Sequence, residues 1–240
     1  MTGAAISNAA RSCLVASFMI VVWCGTPARA SAQAYIPQDI PHRGNVHITG
    51  GVAWLGGVDL GTASADETRN PGTGTGPFVL FQTDSRTESA LGVQGKLGAY
   101  LSRSVSIEGG VLFSRPNLST RLTGDAESAP ELTATERLSR FVVDGSVLFH
   151  VTGASFGGGR GVPFLSGGAG YLRDLHEKNE VAETGHELHF GGGFHYWLGQ
   201  GKHRAGVRAD VGISRRSGGA DAIDTTRTIP VLAGSFAYLF

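Results

Sequence analysis

The chain has 240 residues, a formal net charge of +0 from 20 basic and 20 acidic side chains, and 41% hydrophobic composition. That balance argues against a nucleic-acid partner and against long-range electrostatic steering. Both of its 2 cysteines, Cys13 and Cys24, lie near the start, so the remainder can hold neither a disulfide framework nor a cysteine metal site.

In chain order, residues 1–30 read as a secretory leader. Arg11 precedes an apolar run from Cys13 to Cys24, Gly25-Thr26-Pro27 breaks it, and Ala28-Arg29-Ala30 has the small-x-small pattern of a cleavage site. Ala32-Gln33-Ala34 is a second such site. The run is shorter than the roughly 20 residues of a transmembrane helix. Residues 31–45 form an N-terminal extension, and no later segment reads as a membrane-spanning helix.

From residue 46 to residue 240 the pattern has a period of two. Val46 to Gly56 sets Val46, Ile48, Val52 and Trp54 against His47, Thr49, Gly51 and Ala53. Ala90 to Leu101 sets Leu91, Val93, Leu97 and Ala99 against Gln94, Lys96, Gly98 and Tyr100. A third segment alternates Val105, Ile107, Val111 and Phe113 with Ser106, Glu108 and Ser114. A fourth alternates Phe141, Val143, Val147 and Phe149 with Arg140, Asp144, Ser146 and His150. Pro163 to Arg173, His186 to Leu198, Arg204 to Arg215 and Thr228 to Phe240 continue the scheme. Eight such segments, each about 10 residues or longer, suit tilted strands crossing a bilayer.

The connections alternate between short turns, such as Ser102-Arg103, and long polar stretches at Thr62 to Thr87 and Pro116 to Glu136. Short periplasmic turns and long external loops give this asymmetry. The expected fold is all-β: an eight-stranded antiparallel up-and-down transmembrane barrel. A lipocalin-like barrel or a sandwich also alternates. Three features favour the membrane: the export signal, glycines and charges sharing one face, and the exposed row Phe236, Tyr238 and Phe240.

On these residues the chain resembles the eight-stranded outer-membrane β-barrel family that includes the OmpA-like barrel domain. Its most specific pieces are Pro163 to Tyr171 and Gly234 to Phe240. The resemblance implies bacterial outer-membrane localisation and contact with outer-membrane lipid. It also implies periplasmic chaperones and the barrel assembly machinery as partners, with Gly234, Phe236, Tyr238 and Phe240 as the assembly signal. Trp54, Tyr171, Tyr196, Phe236 and Tyr238 fit interfacial girdles. Phe78 to Phe81 reads either as an outward extension of the second strand or as an apolar patch for an extracellular partner.

The inward face collects Lys96, Glu108, Arg140, Asp144, Glu187, Arg208 and Asp210. An eight-stranded barrel is narrow enough for side chains to fill, so these charges are expected to pair as a structural plug. Lys96, Glu108, Asp144 and Arg208 are the network expected to gate the lumen if it conducts, a Lys or Arg swapping carboxylate partners. A narrow passive or gated pore is the alternative, and a lipid A-modifying enzyme built on Ser146, His150 and Glu187 comes third. No catalytic residue, cofactor or metal site is assigned, since His189 and His195 lie too far apart along one strand to share an ion. A monomer is expected.

Overall fold

Alternating apolar residues fix which face of each strand points outward, and the observed strands follow that parity. The computed structural model describes residues 40–67, 78–124, 130–176, 181–199, 201, 203–220 and 226–240. The leader and most of the N-terminal extension lie outside the described residues. Among the described residues twelve strands run in chain order. They are β1 (Val46–Leu55), β2 (Val58–Glu67), β3 (Phe78–Thr87), β4 (Ala90–Tyr100), β5 (Val105–Ser114) and β6 (Asn117–Thr123), then β7 (Leu132–Arg137), β8 (Ser139–His150), β9 (Gly161–Leu175), β10 (Ala182–Trp197), β11 (Arg204–Gly218) and β12 (Thr226–Leu239). Eight of them close a barrel in the order β1-β12-β11-β10-β9-β8-β5-β4, with every neighbour antiparallel. Closure satisfies the backbone of every barrel strand within the wall, as a bilayer demands.

The barrel's outer surface is apolar. Leu91, Val93, Val111, Phe190 and Val211 are among its exposed side chains, and Phe236 is 78% exposed. Aromatic residues mark both rims of this belt. Trp54 and Tyr171 lie toward the end carrying the long connections, and Tyr238 and Phe240 toward the end carrying the short turns. The rings of Tyr238 and Phe240 meet edge-on at 4.8 Å. At the short-turn end the β8–β9 connection coils through a 3-10 turn at Thr152–Ala154 and then Gly157, Gly158 and Gly159, all at positive φ. Only glycine adopts three such residues in succession without strain.

The two long connections differ from the expected polar loops. They contain β2, β3, β6 and β7, which form a separate antiparallel sheet in the order β2-β3-β6-β7. Each continues a barrel strand across a short break: β1 into β2, β3 into β4, β5 into β6 and β7 into β8. The expectation that Phe78 to Phe81 extends the second barrel strand outward matches β3. The composition hides these strands because Thr, Ser, Asp and Arg occupy both of their faces, which no apolar alternation marks.

The junction is knitted by Glu88 N–H to Asn117 O at 2.8 Å, Leu138 N–H to Pro116 O at 2.9 Å and Gly56 N–H to Pro230 O at 2.9 Å. The β1–β12 ladder stops at Leu55–Val231. Pro230, the next residue of β12, has no N–H to offer, and its ring fills the space where a Cβ at Gly56 would sit.

Candidate functional site

The alternation that sends apolar residues to the outer face also sends every sequence-predicted charge into the lumen, where the side chains stack in layers. At the short-turn end is an aromatic and histidine layer. His195 lies parallel to Trp197 (5.4 Å, 3°), Tyr100 stacks on His150 (4.9 Å), and His47 and Phe164 close the gaps at 5.3 Å from Tyr100 and 5.1 Å from His195. The Arg204 guanidinium lies over Trp197 at 5.5 Å. His47 and Trp197 are 0% exposed and His195 is 1% exposed, so the rings of this layer are packed away from solvent. Glycines make the room: a Cβ at Gly98 would strike His47 and Glu108, and one at Gly206 would strike Trp197.

Directly above sits a buried ionic cluster. Glu108 Oε1 lies 2.7 Å from His47 Nε2 and accepts from Arg208 Nη1 at 2.6 Å. Arg208 also donates to Asp210 from Nε (2.9 Å) and Nη2 (2.7 Å), and stands 4.8 Å over the Phe164 ring. Three carboxylate contacts satisfy the guanidinium, without which burying it would be very costly.

The outer half is looser. A cavity of about 90 Å³ is lined by the polar Lys96, Asp144, Glu187, His189, Asp210 and Arg216 together with the apolar Ala53, Leu55, Leu112 and Val231. The inward-facing pair Gly191 and Gly212, opposite one another, contributes to the space. Lys96 and Asp144 flank Gly110 across three strands, yet among the described residues Lys96 forms no ion pair. Nearer the outer mouth Glu187 accepts from Ser214 Oγ (2.9 Å) and Arg216 Nε (3.2 Å). Arg140 clasps Asp174 with two bonds of 2.7 and 2.9 Å, and the Ala220 N–H adds a third contact to that carboxylate at 3.0 Å.

All seven predicted lumen charges therefore face inward, but they divide into separate clusters. Arg208 joins Glu108 and Asp210, whereas Lys96 and Asp144 stand apart from that pairing. Asp174 and Arg216 were missed because the sequence reading stopped those strands at Arg173 and Arg215, one residue short. Continuing the same parity by one step would have found both.

The serine, histidine and acid set regroups as well. Ser146 Oγ lies 2.8 Å from His189 Nε2, while His150 Nε2 bonds Ser106 at 2.9 Å. Glu187 Oε1 approaches His189 Nδ1 only to 3.9 Å, beyond hydrogen-bond reach. The Ser146, His150 and Glu187 grouping of the third-ranked enzyme reading is thus not assembled, and the nearest arrangement, Ser146 with His189, lies inside the lumen.

Comparison with solved structures agrees with this architecture. The outer membrane protein OprG from Pseudomonas aeruginosa aligns over 83% of this chain and 97% of its own, with a TM-score of 0.51 and 12% identity. The chain has the fold of an outer-membrane β-barrel. The outer membrane protein AlkL, solved in DMPC bilayers, aligns over 83% of this chain and 91% of its own, at 12% identity and a TM-score of 0.34. No protein-family model and no curated protein sequence matches the chain.

Proposed function

We propose that this outer-membrane barrel protein does not conduct, and that it acts at the cell surface through the β2-β3-β6-β7 sheet. The observation that carries this reading is the layer of His47, Tyr100, His150, Phe164, His195 and Trp197, buried across the lumen at the short-turn end. Salt bridges above it close the middle of the barrel. Catalysis forms no part of the proposal, and the protein acts as a monomer. Its partners are an extracellular ligand of the sheet, the surrounding lipid and the machinery that inserts it. The finer likeness to OmpA-like barrels rests on Pro163 to Tyr171 and Gly234 to Phe240. So does the reading of Gly234, Phe236, Tyr238 and Phe240 as the segment that machinery pairs with.

The outer cavity, and Lys96 lining it with no ion pair among the described residues, favour a second reading, a gated path for a small solute. Conduction would require the aromatic layer to swing aside. Planar-bilayer recording separates the two. A silent wild type, with discrete steps appearing in a Phe164→Ala/Trp197→Ala double variant, supports a closed barrel. Steps in the wild type that change with Lys96→Ala support the gated path.

A further inference from the structure

We propose that His47, Glu108 and His195 form a binding site for one divalent transition-metal ion of the zinc class. The three come from β1, β5 and β10, strands that are not neighbours in the wall, and each contributes a ligand atom within 4.8 Å of the other two. All three side chains are buried. Two imidazoles and one carboxylate are the donor set zinc takes readily, at about 2.1 Å per bond and hence about 3.4 Å between donors in a tetrahedron. Reaching that size from a spacing of up to 4.8 Å would draw the donors together by up to about 1.4 Å.

Two features of the cluster point to a ligand rather than to packing alone. Neither ring nitrogen of His195 has a hydrogen-bond partner, and Glu108 Oε2 has none either, although both residues are deeply buried. Polar atoms left in that state destabilise a folded protein, and an ion would satisfy Glu108 Oε2 and one of the two His195 nitrogens together. The neighbouring Arg208 does not forbid this. Asp210 holds its Nε and Nη2 through contacts at 2.9, 2.9 and 2.7 Å, and Glu108 Oε1 can keep its bond from Nη1 while the unpartnered Oε2 serves a cation. Gly98 supplies the space, since any side chain there would displace both His47 and Glu108. The bound ion would tie three walls of the barrel together across its axis, and this assignment holds whether or not the barrel conducts.

The test uses untagged protein, stripped of metal and refolded in detergent with and without Zn2+ or Co2+. The expected result is one Zn2+ per chain in a chelator competition and visible Co2+ bands of tetrahedral intensity. Trp197 emission should also change, because this ring stacks on His195. His195→Gln should weaken binding at least about tenfold, the loss that even outer partners of a metal ligand cause. His186→Gln, on the exposed face of the same strand, should leave binding unchanged. An unsubstituted protein that takes up no ion overturns the site, as does binding that His195→Gln leaves intact. Should that variant fail to refold, the Co2+ spectrum of the unsubstituted protein decides: tetrahedral bands support the site, and their absence overturns it.

Discussion

Arg208 shows how much one lumen side chain can hold. It is 3% exposed and bonds two carboxylates from different strands while lying against Phe164. Removing it strands both Glu108 and Asp210 in a poorly hydrated space, where breaking a buried ion pair typically costs about 3–5 kcal/mol. Arg208→Ala is therefore expected to lower the urea midpoint of the vesicle-inserted barrel by a corresponding amount. Arg208→Lys should recover only part, because an ammonium cannot fork between the two acids. Equal midpoints for wild type and Arg208→Ala would show that water reaches the cluster freely.

Strand elements explain what the sequence disclosed and what it hid. All eight barrel strands were legible because each has lipid on one side and packed polar groups on the other, a contrast that imposes a strict period of two. The strands β2, β3, β6 and β7 were not legible, since water touches both of their faces and nothing selects apolar residues at alternate positions. Side-chain partners within the lumen were equally hidden. Parity says that Lys96 and Arg208 point inward, but not that Arg208 bonds Glu108 while Lys96, among the described residues, makes no ion pair; register alone decides that. The β1–β4 ladder lies wholly within Val46–Leu55 and Ala90–Ala99, so it does not depend on the hairpin above it. Replacing residues 58–87 with a short turn should preserve the faster migration of the folded barrel in unboiled gel samples. Loss of that shift would mean that β2 and β3 are needed to close the wall.

For the molecule as a whole, the division between an apolar exterior and an inward face of buried polar and aromatic groups makes its two described tryptophans opposites. Trp54 is 37% exposed on the lipid-facing rim and Trp197 is 0% exposed inside. Protein lacking residues 1–30, inserted into vesicles of brominated lipid, should lose the Trp54 emission and keep most of the Trp197 emission. A Trp54→Phe variant should accordingly be nearly insensitive to bromine. Strong quenching in that variant would mean that lipid reaches the aromatic layer or that the barrel is inside out.

The outer sheet also sets a waterline. Among the described residues β2 pairs only with β3 and β7 only with β6, so the far edge of each strand presents backbone groups with no strand partner, the Leu60 carbonyl among β2's being met by Arg227 Nη2 at 2.9 Å. Hydrocarbon cannot accept such groups, so the oily layer must end at or below the breaks at Gly56-Gly57 and Leu138. Sinking further would strip water from two rows of peptide bonds, and rising would expose the apolar belt. The depth at which the protein floats is thus held from above by its hydrogen bonds and from below by its rings.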